Sequence, residues 1–280
     1  HKTSPTRAAT GPACQPGWAM DLPKIEIHAP SRGNRKLERL IEAANADARL
    51  RTWWYMQQLN ADRRDMSDHS VVHVQIVVNI ALRLLRLLTR AGVEPAMVAD
   101  HGMQPRDAEV VIAAACLFHD TGMSIHRTDH EQYSLFFAAD RMPLLLEEIY
   151  EEPELTVVMS EALHAVIGHR RRGDPITPEA GIVRVADALD MASGRSRVPF
   201  ETRRPNIHSI SAAAIDTVKI EPGDERAVRI EIEMNNSAGI FQVDELLATK
   251  LRGSGIEEHI EVVAEIDAEH EKRLVPVFRI

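Results

Sequence analysis

The chain has 280 residues and only two cysteines, Cys14 and Cys116. That count supplies no disulfide framework, and a reducing cytoplasm suits it. Cys116 lies inside an apolar run, where a thiol behaves as a small hydrophobe. Long apolar runs are also missing. The longest, VVIAAACLF (110–118) and IVVNIALRLLRLL (76–88), are respectively too short for a bilayer and interrupted by two arginines, so no transmembrane helix is expected. Positive charge is in deficit, with 33 Lys and Arg against 42 Asp and Glu and a net charge of −9. Such a balance disfavours long-range attraction to nucleic acid or to an anionic membrane. No internal repeat or low-complexity tract is visible. The first 20 residues, HKTSPTRAATGPACQPGWAM, lack both an initial Met and the continuous apolar segment of a signal peptide. They read as a disordered leader or an expression remnant, with Met20 as a natural start.

What is present is an ordinary soluble composition, 44% apolar and 27% charged. The length allows a sizeable core in one or two domains. Helical spacing of apolar residues predicts helices over 34–60, 71–92, 105–122, from about Asp129, over 155–169 and over 177–193. Ser67 or Asp68 is the expected N-cap of the second, and TDHE (128–131) has the form of a capping box. Gly92 and Gly122 are expected to stop their helices. After about residue 204 the pattern changes. AVRIEIEM (227–234) alternates strictly and predicts a hairpin turning near Pro222-Gly223. A helix over 241–255 and a strand over 259–267 follow. A boundary near Pro205 separates the two patterns.

Histidine is the informative residue. Of 13, eight (His69, His73, His101, His119, His126, His130, His164 and His169) fall between positions 69 and 169. His73 lies on the apolar stripe of its helix with Val77, Ile80, Leu84 and Leu87. His119-Asp120 closes an apolar helix, and Asp187 sits on a face otherwise made of Val, Ala and Leu. A buried carboxylate without a partner is costly, so a shared cation explains three helices each turning a polar group inward. Imidazole plus carboxylate suits a divalent transition metal: Mn, Fe, Co, Ni or Zn. Neighbouring residues diverge by about 100° on a helix, but His119 and Asp120 can converge because the helix ends there.

The order His73, then His119-Asp120, then Asp187 on successive helices resembles the HD-domain metal-dependent phosphohydrolase superfamily, over about residues 66–195. The resemblance implies an all-α HD-domain bundle, and with the change of pattern the fold expected is mainly α: that bundle over 21–204, then a small C-terminal α+β domain over 205–280. It implies one or two divalent ions held by His73, His119, Asp120 and Asp187, with His130, His164 and His169 as candidates for a second. His164 and His169 are five apart and share no helix face, so both can bind only if the helix frays before His169. In DHSVVH, His69 and His73 both compete for the first ligand role; His73 sits better on the stripe, and His69 becomes either a general acid or a helix-start residue. Asp120 is expected to bind metal and orient the nucleophile. Arg170, Arg195 and Arg197 are candidates for holding substrate phosphate. The implied reaction is hydrolysis of a phosphate ester of a nucleotide or other small metabolite by a cytoplasmic enzyme, free or as a homo-oligomer. Two rivals stay open: a di-iron oxygenase on the same fold, and a nucleotide sensor without turnover.

Overall fold

The computed structural model of the protein describes residues 25–192 and 211–266. The expected leader, the boundary at Pro205, and Arg195 and Arg197 lie outside the described residues. Helices dominate the first part: α1 (Arg35–Ala46), α2 (Ala48–Asp62), α3 (Val71–Arg90), the short α4 (Ala96–Ala99), α5 (Pro105–Phe118), α6 (His130–Leu146), α7 (Glu154–Gly168) and α8 (Pro178–Leu189). Several start where a side chain satisfies an orphan amide of the first turn. Asn34 accepts from Leu37, Ser70 from Val72 and Thr177 from Ala180.

Three local expectations need correction. The helix expected over 34–60 is two helices, because Asp47 is extended (ψ 104°) and its Oδ1 accepts the Leu50 amide at 2.8 Å. A short carboxylate offers the backbone a cap in place of a continuing helix, and the Arg141 guanidinium holds its other oxygen. The N-cap of α3 is Ser70 rather than Ser67 or Asp68; Asp68 accepts the Ser70 amide at 2.7 Å. No capping box forms at α6, since Asp129 is left-handed (φ 61°) and its side chain makes no cap bond.

Helix α5 is the central post. Every residue from Val110 to Phe118 is buried, and α1, α3, α7 and α8 pack around it. Burying a side chain such as Phe118 completely contributes about 1.5–3 kcal/mol. Helix α3, at 20 residues, has the length and composition to cross a bilayer, yet its apolar face is buried inside this bundle.

The C-terminal part holds a three-stranded sheet in the order β1-β2-β3. Strands β1 (Ile215–Pro222) and β2 (Val228–Met234) form the expected antiparallel hairpin, and β3 (Ile260–Ile266) lies parallel to β2. Val228, Ile230, Ile232 and Met234 are all buried, as their alternation requires. The crossover from β2 to β3 is a π-helix over Gln242–Ala248 with a single α-turn, Thr249–Leu251, rather than the regular helix expected. Gln242 and Leu247, five residues apart, both face inward, which a π-turn permits and an α-turn does not.

Candidate metal centre

The end of α5 builds the first half of the site. A helix leaves its last four carbonyls without intrahelical partners, and here each finds a side chain. The Cys116 carbonyl takes His119 Nδ1 (2.8 Å), Leu117 takes Trp54 Nε1 (2.9 Å), Phe118 takes the Thr121 hydroxyl (2.7 Å) and His119 takes the Ser134 hydroxyl (2.7 Å). His119 is therefore the C-cap of its helix, and its ring is fixed by that role. Gly122 follows in a 3-10 turn (Thr121–Ser124). A Cβ there would lie 1.9 Å from the His130 carbonyl, so only glycine lets the start of α6 approach this closely. That approach brings His130 beside Asp120.

The same device recurs on α7. His169 is its C-cap, with Nδ1 2.6 Å from the Val166 carbonyl. On α3, His73 Nδ1 lies 2.6 Å from Asp190 Oδ2, and His69 Nδ1 lies 2.7 Å from the Ser67 carbonyl. Carbonyls and carboxylates only accept, so these four rings carry their proton on Nδ1 and turn the Nε2 lone pair inward. His130 Nδ1 lies 3.0 Å from the Arg127 carbonyl and 2.8 Å from the Arg127 guanidinium.

The donors collect into two groups. His73 Nε2, His119 Nε2 and Asp187 form one; Asp120, His130 and His169 form the other, and within each the donor atoms lie within 4.8 Å of one another. Asp120 joins them. Its Oδ2 is 3.4 Å from His73 Nε2 and 3.5 Å from His119 Nε2, while its Oδ1 is 3.0 Å from His130 Nε2 and 3.8 Å from His169 Nε2. Asp187 Oδ1 is 3.4 Å from His73 Nε2. His69 stands at the edge, its Nε2 4.0 Å from Asp120 Oδ2.

Burial opposes charge on both carboxyls, yet the imidazoles around Asp120, His119 foremost, and Lys250 beside Asp187 outweigh it. Both carboxyls are held well below their usual range. Burial pulls His119 and His169 below the usual imidazole value. Burial thus biases His119 and His169 toward the neutral form and the site biases Asp120 and Asp187 toward the charged one, the protonation states a divalent cation requires. The closest pair makes the point: His73 Nε2 and His119 Nε2 are 3.2 Å apart, both rings buried. Two lone pairs facing each other at that distance repel unless a cation lies between them. These groups fit a divalent transition metal.

A cavity of about 490 Å³ opens onto both groups, lined by His69, Asp120, His130, His169 and Asp187 together with Arg64, Arg127, Arg170, Arg171 and Lys250. The expected residues His73, His119, Asp120, Asp187, His130 and His169 are thus brought together, with His69 beside them. His164 is not: its Nε2 accepts the Ile176 amide at 3.1 Å, on another face of α7. The helix ends at Gly168, so His169 turns in while His164 cannot follow. Arg170 reaches the cavity, and its buried Nε has no partner among the described residues. Sequence reasoning missed Asp190, Arg127 and Lys250. Asp190 lies three positions after Asp187, and that spacing was its signal; Arg127 and Lys250 carried none.

These features define an α-helical bundle with paired His/Asp groups fit for divalent metal, and the chain belongs to the HD-domain family, a superfamily of metal-dependent hydrolases, whose model matches residues 66–192. The chain is also 38% identical over 207 residues to the uncharacterized protein MJ1020 of Methanocaldococcus jannaschii, covering 74% of this chain and 80% of that one. An alignment of 207 residues cannot fit before position 193, so the likeness continues past the HD segment into the C-terminal part.

Proposed function

We propose that the protein hydrolyses a phosphate ester of a small metabolite, a nucleotide among the candidates, as a phosphatase or phosphodiesterase with two divalent ions. His73, His119, Asp120 and Asp187 would hold one ion; Asp120, His130 and His169 would hold the other. The observation that carries the reading is the convergence of inward-turned Nε2 lone pairs on a carboxylate with one oxygen toward each group. When bound, such ions lower the pKa of a water and polarise a phosphoryl oxygen.

The chain's own residues do the rest. Asp120, central to both groups, orients the attacking water. His69, with Nδ1 donating to the Ser67 carbonyl and Nε2 4.0 Å from Asp120 Oδ2, would act as general acid in its imidazolium form, passing the Nε2 proton to the departing oxygen. Arg170, Arg127 and Arg64 line the cavity, where guanidinium forks suit non-bridging phosphoryl oxygens. A reducing, cytoplasmic setting suits the buried thiol of Cys116.

The test is metal analysis of protein purified without chelator, followed by a phosphate-ester panel with Mn, Fe, Co and Ni. The expected result is bound metal, phosphate release, and loss of both in His119→Ala with helical content kept. Metal-free protein sinks the reading. Bound iron with oxygen consumption and no phosphate release moves the site to the oxygenase class.

A further inference from the structure

Lys250 comes from the C-terminal part, beyond the HD segment, and ends in the metal centre. Its Nζ bonds Asp187 Oδ2, while Asp187 Oδ1 faces His73. Its side chain is only 16% exposed and borders the cavity.

The docking that places it is specific. Arg184 on α8 donates to the carbonyls of Lys250 (2.8 Å), Thr249 (3.2 Å) and Arg171 (3.1 Å). One guanidinium thus ties three segments: the helix of Asp187, the loop after His169 and the backbone of Lys250. One turn earlier on α8, a Cβ at Gly181 would lie 2.0 Å from the Ser254 carbonyl. The crossover backbone is pressed directly onto the helix.

A positive charge on a carboxylate that must hold a cation weakens the cation's grip, so a purely structural Lys here would work against the site. The arrangement is productive when the third partner is an anion. An ammonium has three N–H donors; one meets Asp187, and the cavity side is open to a ligand oxygen. Arg171, by contrast, is 64% exposed and engaged with Glu245 at 3.0 Å.

We propose that Lys250, delivered by the crossover between β2 and β3, is a substrate-phosphate ligand held ready by Asp187, so that the C-terminal part completes the active site. The proposal rests on the phosphohydrolase reading. Its product, orthophosphate, serves as probe.

Calorimetric titration of metal-loaded protein with orthophosphate tests it, alongside metal content. Lys250→Met should weaken phosphate binding about ten- to a hundredfold, the size of a lost charge-assisted contact, with metal content unchanged or raised. Lys250→Arg should recover part of the affinity. Gly181→Val, which keeps the lysine in the sequence but displaces the crossover that carries it, should also weaken phosphate and spare the metal. Phosphate affinity within twofold of the parent in Lys250→Met, or metal loss in that variant, overturns the proposal. A metal-loaded parent that fails to bind phosphate overturns the phosphohydrolase reading itself, a different result from a parent that binds and a variant that binds equally.

Discussion

His73 is fixed from behind before it can act in front. The Asp190 carboxylate at its Nδ1, 2.6 Å away, selects the tautomer that frees Nε2 and raises the basicity of that atom. Asp190→Asn keeps the shape, but its amide can present N–H where an acceptor is needed. Metal affinity should fall by roughly ten- to a hundredfold, read by competition with a chelating dye. His164→Ala is the contrast: His164 stands on the helix that ends at His169, but its Nε2 accepts the Ile176 amide, so the variant's metal affinity should match the parent. Equal affinity in Asp190→Asn, or loss in His164→Ala, would show that the groups are assigned wrongly. The sequence made His73, His119, Asp120 and Asp187 legible because each is polar on an apolar face. It could not show Lys250, whose surroundings are charged and ordinary in the linear chain.

At the scale of elements, α5 is held at both ends, and its beginning carries a pH dependence. Asp107 Oδ1 accepts from Lys36 Nζ (2.7 Å) and the Tyr150 hydroxyl (2.7 Å), and Oδ2 from the Gln104 amide (2.9 Å). Burial by itself would raise this carboxyl; the three bonds outweigh it and hold the group below its usual range. A depressed carboxyl contributes stability above the unfolded-state pKa of about 3.9, and that stability fades as pH falls through the folded value. Asp107→Asn should therefore cost about 1.5–3 kcal/mol near neutrality, measured by urea unfolding. The gap to the parent should close below about pH 4. A gap that persists unchanged at pH 3 would mean that packing, not charge, is lost. Helix boundaries themselves were legible where apolar spacing is long and regular, as in α3 and α7, whereas α5 ends at Phe118, four residues before the expected stop at Gly122. They failed where a short polar side chain outcompeted the helix, as Asp47 does between α1 and α2, since capping geometry depends on a neighbour such as Arg141 that is distant in sequence.

Across the whole molecule, the bundle-then-sheet order was readable from the change in apolar period, and so was the β1–β2 hairpin. The parallel placement of β3 was not, because a crossover is specified by packing on α8 and not by local pattern. The centre draws on side chains from both parts of the chain, His69 to Asp187 in the helical part and Lys250 in the C-terminal part, so an ion there should stabilise both. With free metal at about a thousand times its Kd the gain is ~4 kcal/mol, which for a chain this size raises Tm on the order of 10 °C. Calorimetry with and without a chelator checks this, and coincident melting in both would refute it.

The carboxylate of Asp120, one oxygen toward each donor group, also has a consequence for assembly in time. A chain leaving the ribosome exposes His73, His119 and Asp120 long before Asp187, and Asp187 before Lys250. The donors of the second group, His130 and His169, are all synthesised before the first group is complete. Asp120, His130 and His169 are therefore all present before Asp187 arrives to complete the first group, so the second group is the one whose full donor set is synthesised first.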